Sequence, residues 1–146
     1  MAIKPETRFT ISVNNKLSKH IPHIEKMHNE YRGGTWDVWY SGDKGDCWIE
    51  YKYLSTLPIR RTTKPMELLS ALQIFWGLSR HAEGRRTIVI VGCASGGLWL
   101  PTPIWQQEFT PDEFYELLLT RQQIADKIYE LVGQGHMVLP SEVESD

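Results

Sequence analysis

A chain of 146 residues with 41% hydrophobic content is long enough for one domain with its own core. It has no apolar run of the roughly 18 residues needed to span a bilayer, and Met1-Ala2-Ile3-Lys4-Pro5 has no apolar leader, so a cytoplasmic, unexported protein is expected. The net charge of −2 averages two unlike parts: residues 1–100 hold fourteen Lys and Arg against nine Asp and Glu, and residues 101–146 hold two against nine. Association with a polyanion follows local potential, so the basic first hundred residues are the credible binding surface and the acidic remainder is not.

In chain order, Phe9, Val13 and Leu17 share one stripe and predict an amphipathic helix over 6–20. His20, His23 and His28 cluster near it, but without a cysteine or a second histidine pair they do not predict a zinc site. Residues 26–31 read as a short strand or extended approach. Next come two runs rich in aromatic and β-branched residues, Gly33 to Tyr40 and Cys47 to Tyr53, either side of the polar insert Ser41-Gly42-Asp43-Lys44-Gly45-Asp46. That pattern predicts a β-hairpin over 37–54.

A Thr-, Pro- and Arg-rich loop leads to a predicted helix from about Met66 to His81, ended by Gly84. Thr87 to Cys93 is an apolar β-branched run, the mark of a strand buried on both faces. Ser95-Gly96-Gly97 turns the chain into the short strand Leu98-Trp99-Leu100. Thr110-Pro111-Asp112-Glu113 is a capping box with proline at the first helical position, opening a helix towards Leu119, and a further helical stretch runs to about Val132. Cys47 and Cys93 fall inside predicted strands, where buried reduced thiols are expected. The domain is placed at 1–140, followed by an acidic tail, 141–146, expected to be disordered. The order of elements implies an α/β fold with a mixed sheet flanked by helices.

The chemistry concentrates on the hairpin. Side chains alternate along a strand, so Trp48, Glu50 and Lys52 share one face while Cys47, Ile49, Tyr51 and Tyr53 share the other. An acid and an ammonium side by side, facing Asp37 on the neighbouring strand, form a minimal apparatus for hydrolysing a phosphodiester with a divalent metal. Two carboxylates hold a hard cation through oxygen. The lysine orients the attacking water or stabilises the developing negative charge. Arg60-Arg61-Thr62-Thr63-Lys64 follows directly, and with Lys44 in the hairpin turn it supplies the candidates for phosphate contact; the loop 55–65 and the hairpin 40–47 are expected to flank the site. Arg80-His81 and Arg85-Arg86 form a second basic group. Gly92 to Gly97 lacks the spacing of a nucleophile elbow, and the chain has no phosphate-binding P-loop, dinucleotide fingerprint or zinc-finger spacing.

On these residues the chain resembles the PD-(D/E)XK nuclease superfamily. It is most similar to the small phage-type members, the VRR-NUC-like nucleases and PD-(D/E)XK homing endonucleases. The resemblance covers roughly residues 6–100. It rests on Asp37, on Glu50-Tyr51-Lys52, and on the Ser70-x-x-Gln73 helix that precedes an apolar strand. It implies a restriction-endonuclease-like fold and Mg²⁺ (with Mn²⁺ as a substitute) held by Asp37, Glu50 and the backbone carbonyl of Tyr51. By the same resemblance Lys52 is the catalytic lysine, Glu6 the acid that reaches the metal through water, and Gln73 the group that positions water or the scissile phosphate. The implied activity is double-strand cleavage of DNA by a homing-type homodimer or homotetramer, in the host cytoplasm if the gene is carried by a phage. The alternatives are a flap or Holliday-junction nuclease and a non-catalytic DNA-binding protein on the same fold.

One departure from the family pattern is Trp36, where the family usually has proline. Proline there restrains φ and takes no part in the chemistry, so Trp36→Pro is expected to preserve the fold and leave activity equal or higher. Trp36, Trp39 and Trp48 are candidates for base stacking as well as for the core. The apolar residues of 110–132 (Phe114, Leu117, Leu118, Ile124, Ile128, Tyr129 and Leu131) exceed one core-facing stripe, which suggests a subunit contact.

Overall fold

The hairpin and the apolar run after it organise the sheet. The computed structural model describes residues 3–17, 23–27 and 33–134. Its strands are β1 (His23–Lys26), β2 (Val38–Gly42), β3 (Gly45–Tyr53), β4 (Thr87–Cys93) and β5 (Gly96–Pro101), hydrogen-bonded in that order. All neighbours are antiparallel except β3 and β4, which pair in parallel from Trp48 opposite Thr87 to Tyr53 opposite Gly92. A parallel pair cannot be closed by a tight turn. The crossover carries helices α2 (Pro65–Leu68) and α3 (Ala71–Ala82).

Every residue of β4 is buried, as its unbroken apolar run predicts. Ile88 and Ile90 face one core with Phe9, Val13, Leu17, Ile124 and Ile128, under helices α1 (Pro5–Leu17) and α5 (Arg121–Val132). Val89, Val91 and Cys93 face the other, with Trp36, Leu98, Leu100, Trp105 and Phe114, under α2, α3, the 3₁₀ turn Ile104–Gln106 and α4 (Pro111–Leu117). Cys47 and Cys93 are both buried free thiols, and burial pushes the Cys47 thiol up to about 12. Among the described residues no helix is long and apolar enough to cross a membrane.

Several expectations shift. The hairpin turn is tighter than the six-residue insert: Gly42 pairs with Gly45, leaving Asp43 and Lys44 as the tip. Gly45 has φ +131°, a conformation that favours glycine. The first strand lies at His23–Lys26, ahead of the expected 26–31, and residues 28–32 lie outside the described residues, as do His20, the end of the 6–20 helix and the 141–146 tail.

The helix expected over 66–81 is two helices, broken at Leu69-Ser70. Ser70 caps α3 by accepting from the Gln73 amide at 3.1 Å, and the Gln73 side chain accepts from the Ser70 amide at 3.0 Å. The stretch 110–132 also breaks, because Thr120 caps α5 through the same reciprocal box with Gln123. Its apolar surplus mostly covers the chain's own sheet. Phe114, Ile124 and Ile128 are fully buried, and Leu118, Tyr129 and Leu131 pack partly buried against the two cores. Of the named set only Leu117 is exposed, with Tyr115 beside it on the same segment, so little of the surplus is left for a partner.

Candidate metal site

Continuing the register of Val38 opposite Ile49 places Asp37 opposite Glu50, and the two strands tie themselves together through their own acids. The Asp37 amide donates to Glu50 Oε1 at 3.1 Å, and the Tyr51 amide donates to Asp37 Oδ2 at 3.3 Å. The first turn of α1 brings Glu6 to the same place. One carboxylate oxygen each from Glu6, Asp37 and Glu50 lie within 4.8 Å of one another. Glu50 is 1% exposed, while the other two keep a path to solvent.

Lys52 and Gln73 complete the cluster. Lys52, on the same face of β3 as Glu50, sets its Nζ 3.4 Å from Glu50 Oε2. Gln73 Nε2 donates to that oxygen at 3.1 Å. Gln73 therefore serves two purposes: its side-chain oxygen closes the N-terminus of α3 and its nitrogen reaches the acid.

The electrostatics are those of a site lacking positive charge. Burial, then the neighbouring Asp37 charge, pushes the Glu50 carboxyl from 4.5 up to about 8, against the pull of Lys52. Burial raises Asp37 as well, opposed by its hydrogen bond from the Tyr51 amide. Glu6 is raised by burial and then by Asp37. Three partly or wholly desolvated carboxylates beside one ammonium suit a hard divalent cation, which takes oxygen ligands and replaces the protons the acids otherwise retain.

The other expected site residues are less uniformly placed. The Tyr51 amide touches Asp37, and the Tyr51 ring lies fully buried in the core on the α1 side. Arg60 and Arg61 are exposed on the loop after β3, lining a cleft of about 840 Å³. Lys64 lines it too, but stands 3.9 Å from Glu67 and 3.8 Å from Glu108, which offset its charge. Lys44 is not near the acids. It sits at the hairpin tip, its amide donating to Val132 O at 2.8 Å, and it lies six positions before Glu50, about 20 Å at the usual rise. The hairpin turn therefore does not flank the site.

Trp36 belongs to the core. It is fully buried, stacked on Trp76 at 5.8 Å and edge-on to Trp105 at 6.1 Å. Trp39 and Trp48 are half-buried and lean on each other at 6.4 Å, with Trp39 Nε1 donating to Asp46 at 2.8 Å. The sequence reading missed a buried polar chain: the Tyr51 and Tyr40 hydroxyls lie 2.5 Å apart, and Tyr40 donates to Asn14 Oδ1 at 2.6 Å. It joins β3, β2 and α1, the three elements that deliver the acids. The available signal was two tyrosines on the apolar face of one hairpin, whose hydroxyls need partners when buried.

No protein-family profile matches the chain, and no curated protein matches its sequence. Among solved structures the chain is similar to Hjc, a Holliday junction resolvase from Archaeoglobus fulgidus, with a TM-score of 0.54 and 16% identity over 82% of this chain and 98% of that one. What that likeness establishes is the fold, a mixed five-stranded sheet with flanking helices in a single restriction-endonuclease-like domain.

Proposed function

We propose that this chain is a divalent-metal-dependent endonuclease acting on DNA. The observation that carries the reading is the convergence of Glu6, Asp37 and Glu50 within 4.8 Å, with Lys52 Nζ 3.4 Å from Glu50. Asp37 and Glu50 are the ligands for Mg²⁺ or Mn²⁺, and Glu6 adds a third carboxylate, directly or through water. When bound, the metal polarises the scissile phosphate and lowers the pKa of a water. Lys52 steadies negative charge as it develops on the phosphate, and Gln73 fixes the Glu50 carboxylate in the orientation that receives the ion. Arg60 and Arg61 extend the phosphate-contacting surface from the end of β3.

Two substrate readings compete, a long specific duplex site cut in the homing manner and a branched DNA. The second is favoured, because the chain is similar to a Holliday junction resolvase over 98% of that resolvase. Reading a long site needs many side chains set against base edges, whereas a branched substrate is told apart by its shape and phosphate positions. Symmetric cleavage needs two sites, so a homodimer or homotetramer belongs to this reading.

The test is incubation of four-way junctions, flaps and linear duplex with wild type and Asp37→Asn, in Mg²⁺ and in EDTA. Metal-dependent cutting of junctions ahead of duplex, lost in Asp37→Asn, is the expected result, and light scattering should give a mass above one chain. Cutting of one rare duplex sequence would restore the homing reading. No cleavage of any of these DNAs with any divalent metal would end the nuclease reading.

A further inference from the structure

The loop between β3 and α2 is pinned at both ends and carries an uncovered apolar residue at its middle. The Leu54 amide donates to Gly92 O at 2.8 Å, and Thr63 exchanges two backbone hydrogen bonds with Phe109, at 2.7 and 2.9 Å. Pro58 is buried. Ile59, next to it, is 81% exposed, the highest value among the exposed large hydrophobic residues of the described chain. Arg60 and Arg61 follow, exposed and without an ion pair to any described acid. Behind this lip lies the 840 Å³ cleft, with Leu54, Leu57 and Leu68 in its lining. Leu54 is two residues beyond Lys52, about 7 Å along the strand, so the loop borders the ground a DNA strand would occupy when its phosphate lies on the acids.

We infer that Ile59 is an apolar wedge that enters an unstacked base step at the branch of the bound DNA, while Arg60 and Arg61 hold the flanking phosphates. The inference rests on the DNA reading above and adds what discriminates branched DNA from duplex. Proteins that open a base step commonly insert an apolar side chain such as Ile, Leu, Phe or Met, and opening costs less where the step is already unpaired or unstacked. The backbone bonds at Leu54 and Thr63 fix where the loop leaves and rejoins the domain. A second copy of the chain is a poorer occupant. A single isoleucine is far below the ~800 Å² per partner of a stable interface, and two copies meeting here would bring Arg60 and Arg61 against their own kind.

The experiment measures binding in EDTA to a four-way junction with 2-aminopurine at the branch, and to a matched linear duplex. Wild type should raise 2-aminopurine fluorescence on the junction. Ile59→Ser should abolish the rise and weaken junction binding about tenfold or more, the loss expected when a buried isoleucine side chain is removed. Its duplex binding, Mn²⁺ affinity and melting temperature should not change. Arg60→Ala and Arg61→Ala should weaken both DNAs alike and flatten the salt dependence. An unchanged fluorescence rise in Ile59→Ser, equal loss on both DNAs, or a dimer that Ile59→Ser dissociates would each overturn the wedge. A wild type that cuts junctions without the rise would also overturn it. A wild type that shows the rise but cuts nothing in any metal would instead remove the nuclease reading and leave the wedge standing.

Discussion

The indole of Trp36 donates to the main-chain carbonyl of Gln73 at 2.9 Å, and the side chain of Gln73 donates to Glu50 at 3.1 Å. A core residue thus holds the helix that reaches the acid. The approach is close: a Cβ on Gly77 would lie 2.2 Å from the Trp36 ring, so the glycine is what lets α3 settle on the indole. Trp36 stands one residue before Asp37, and its burial fixes the chain where the first acid of the hairpin emerges.

Trp36→Pro should therefore destabilise the protein, the reverse of what the family pattern suggests. The substitution removes a fully buried ring and its hydrogen bond, and large-to-small changes of this kind cost about 3–5 kcal/mol. Trp36→Phe keeps most of the packing and should lose less, mainly the indole hydrogen bond, at about 1 kcal/mol. Thermal unfolding of the two variants checks the order. A Trp36→Pro protein that melts with wild type would show that the site tolerates proline and that the stacking on Trp76 contributes little.

The residues legible in the sequence were those whose placement is set locally. Glu50 and Lys52 share a face because strand side chains alternate, and Asp37 meets Glu50 because the hairpin fixes its own register. The Thr110 box was legible for the same reason, since its partners lie three residues apart. Ser70 and Gln73 were the harder case. The same spacing is present, but it lies inside an apolar-periodic run that reads as continuous helix, so the break at Leu69 was hidden. Tertiary facts were legible only in part, as in the burial of β4. That Trp36 is core, that Lys44 packs against the end of α5 and that Leu118 and Leu131 cover the sheet depend on which elements meet, and the local pattern carries no record of that.

Lys52→Ala should lose most cleavage while keeping DNA binding. The ammonium acts on charge that appears only in the transition state, and removing one such stabiliser costs about 10²–10³ in rate. Lys52 stands 3.4 Å from Glu50, so its removal takes away a positive charge that opposes the cation, and metal affinity should not fall. Single-turnover cleavage alongside a gel-shift measurement separates the two effects. Cutting at the wild-type rate would remove Lys52 from the chemistry.

The buried chain from Tyr51 through Tyr40 to Asn14 predicts an asymmetry. Tyr40 is the middle member, so Tyr40→Phe leaves both the Tyr51 hydroxyl and Asn14 Oδ1 without their partner, at about 1–3 kcal/mol. Tyr51→Phe leaves the Tyr40–Asn14 bond intact and should cost less. Denaturant unfolding of the two variants decides it. Equal losses would mean that the chain is not the unit that fixes α1 against the hairpin.

The acids also predict how pH and metal act together. Glu50 is pushed up to about 8 in the folded protein against an unfolded value of 4.5, so between these the folded state holds a proton that the unfolded state has released. Stability then falls as pH rises, by up to about 1.4 kcal/mol per pH unit for each such proton, and levels off once the folded carboxyl has ionised. Asp37 and Glu6 are raised too and act in the same direction. In EDTA the melting temperature should therefore fall from about pH 5 towards pH 8. Excess Mg²⁺ should recover it near pH 8, where the acids are free to bind, and have little effect near pH 5, where protons compete. Glu50→Gln should flatten the EDTA profile and remove most of the recovery. A wild-type melting temperature independent of pH in EDTA would mean that the acids are not desolvated as the geometry requires. Recovery that survives in Glu50→Gln would place the metal elsewhere.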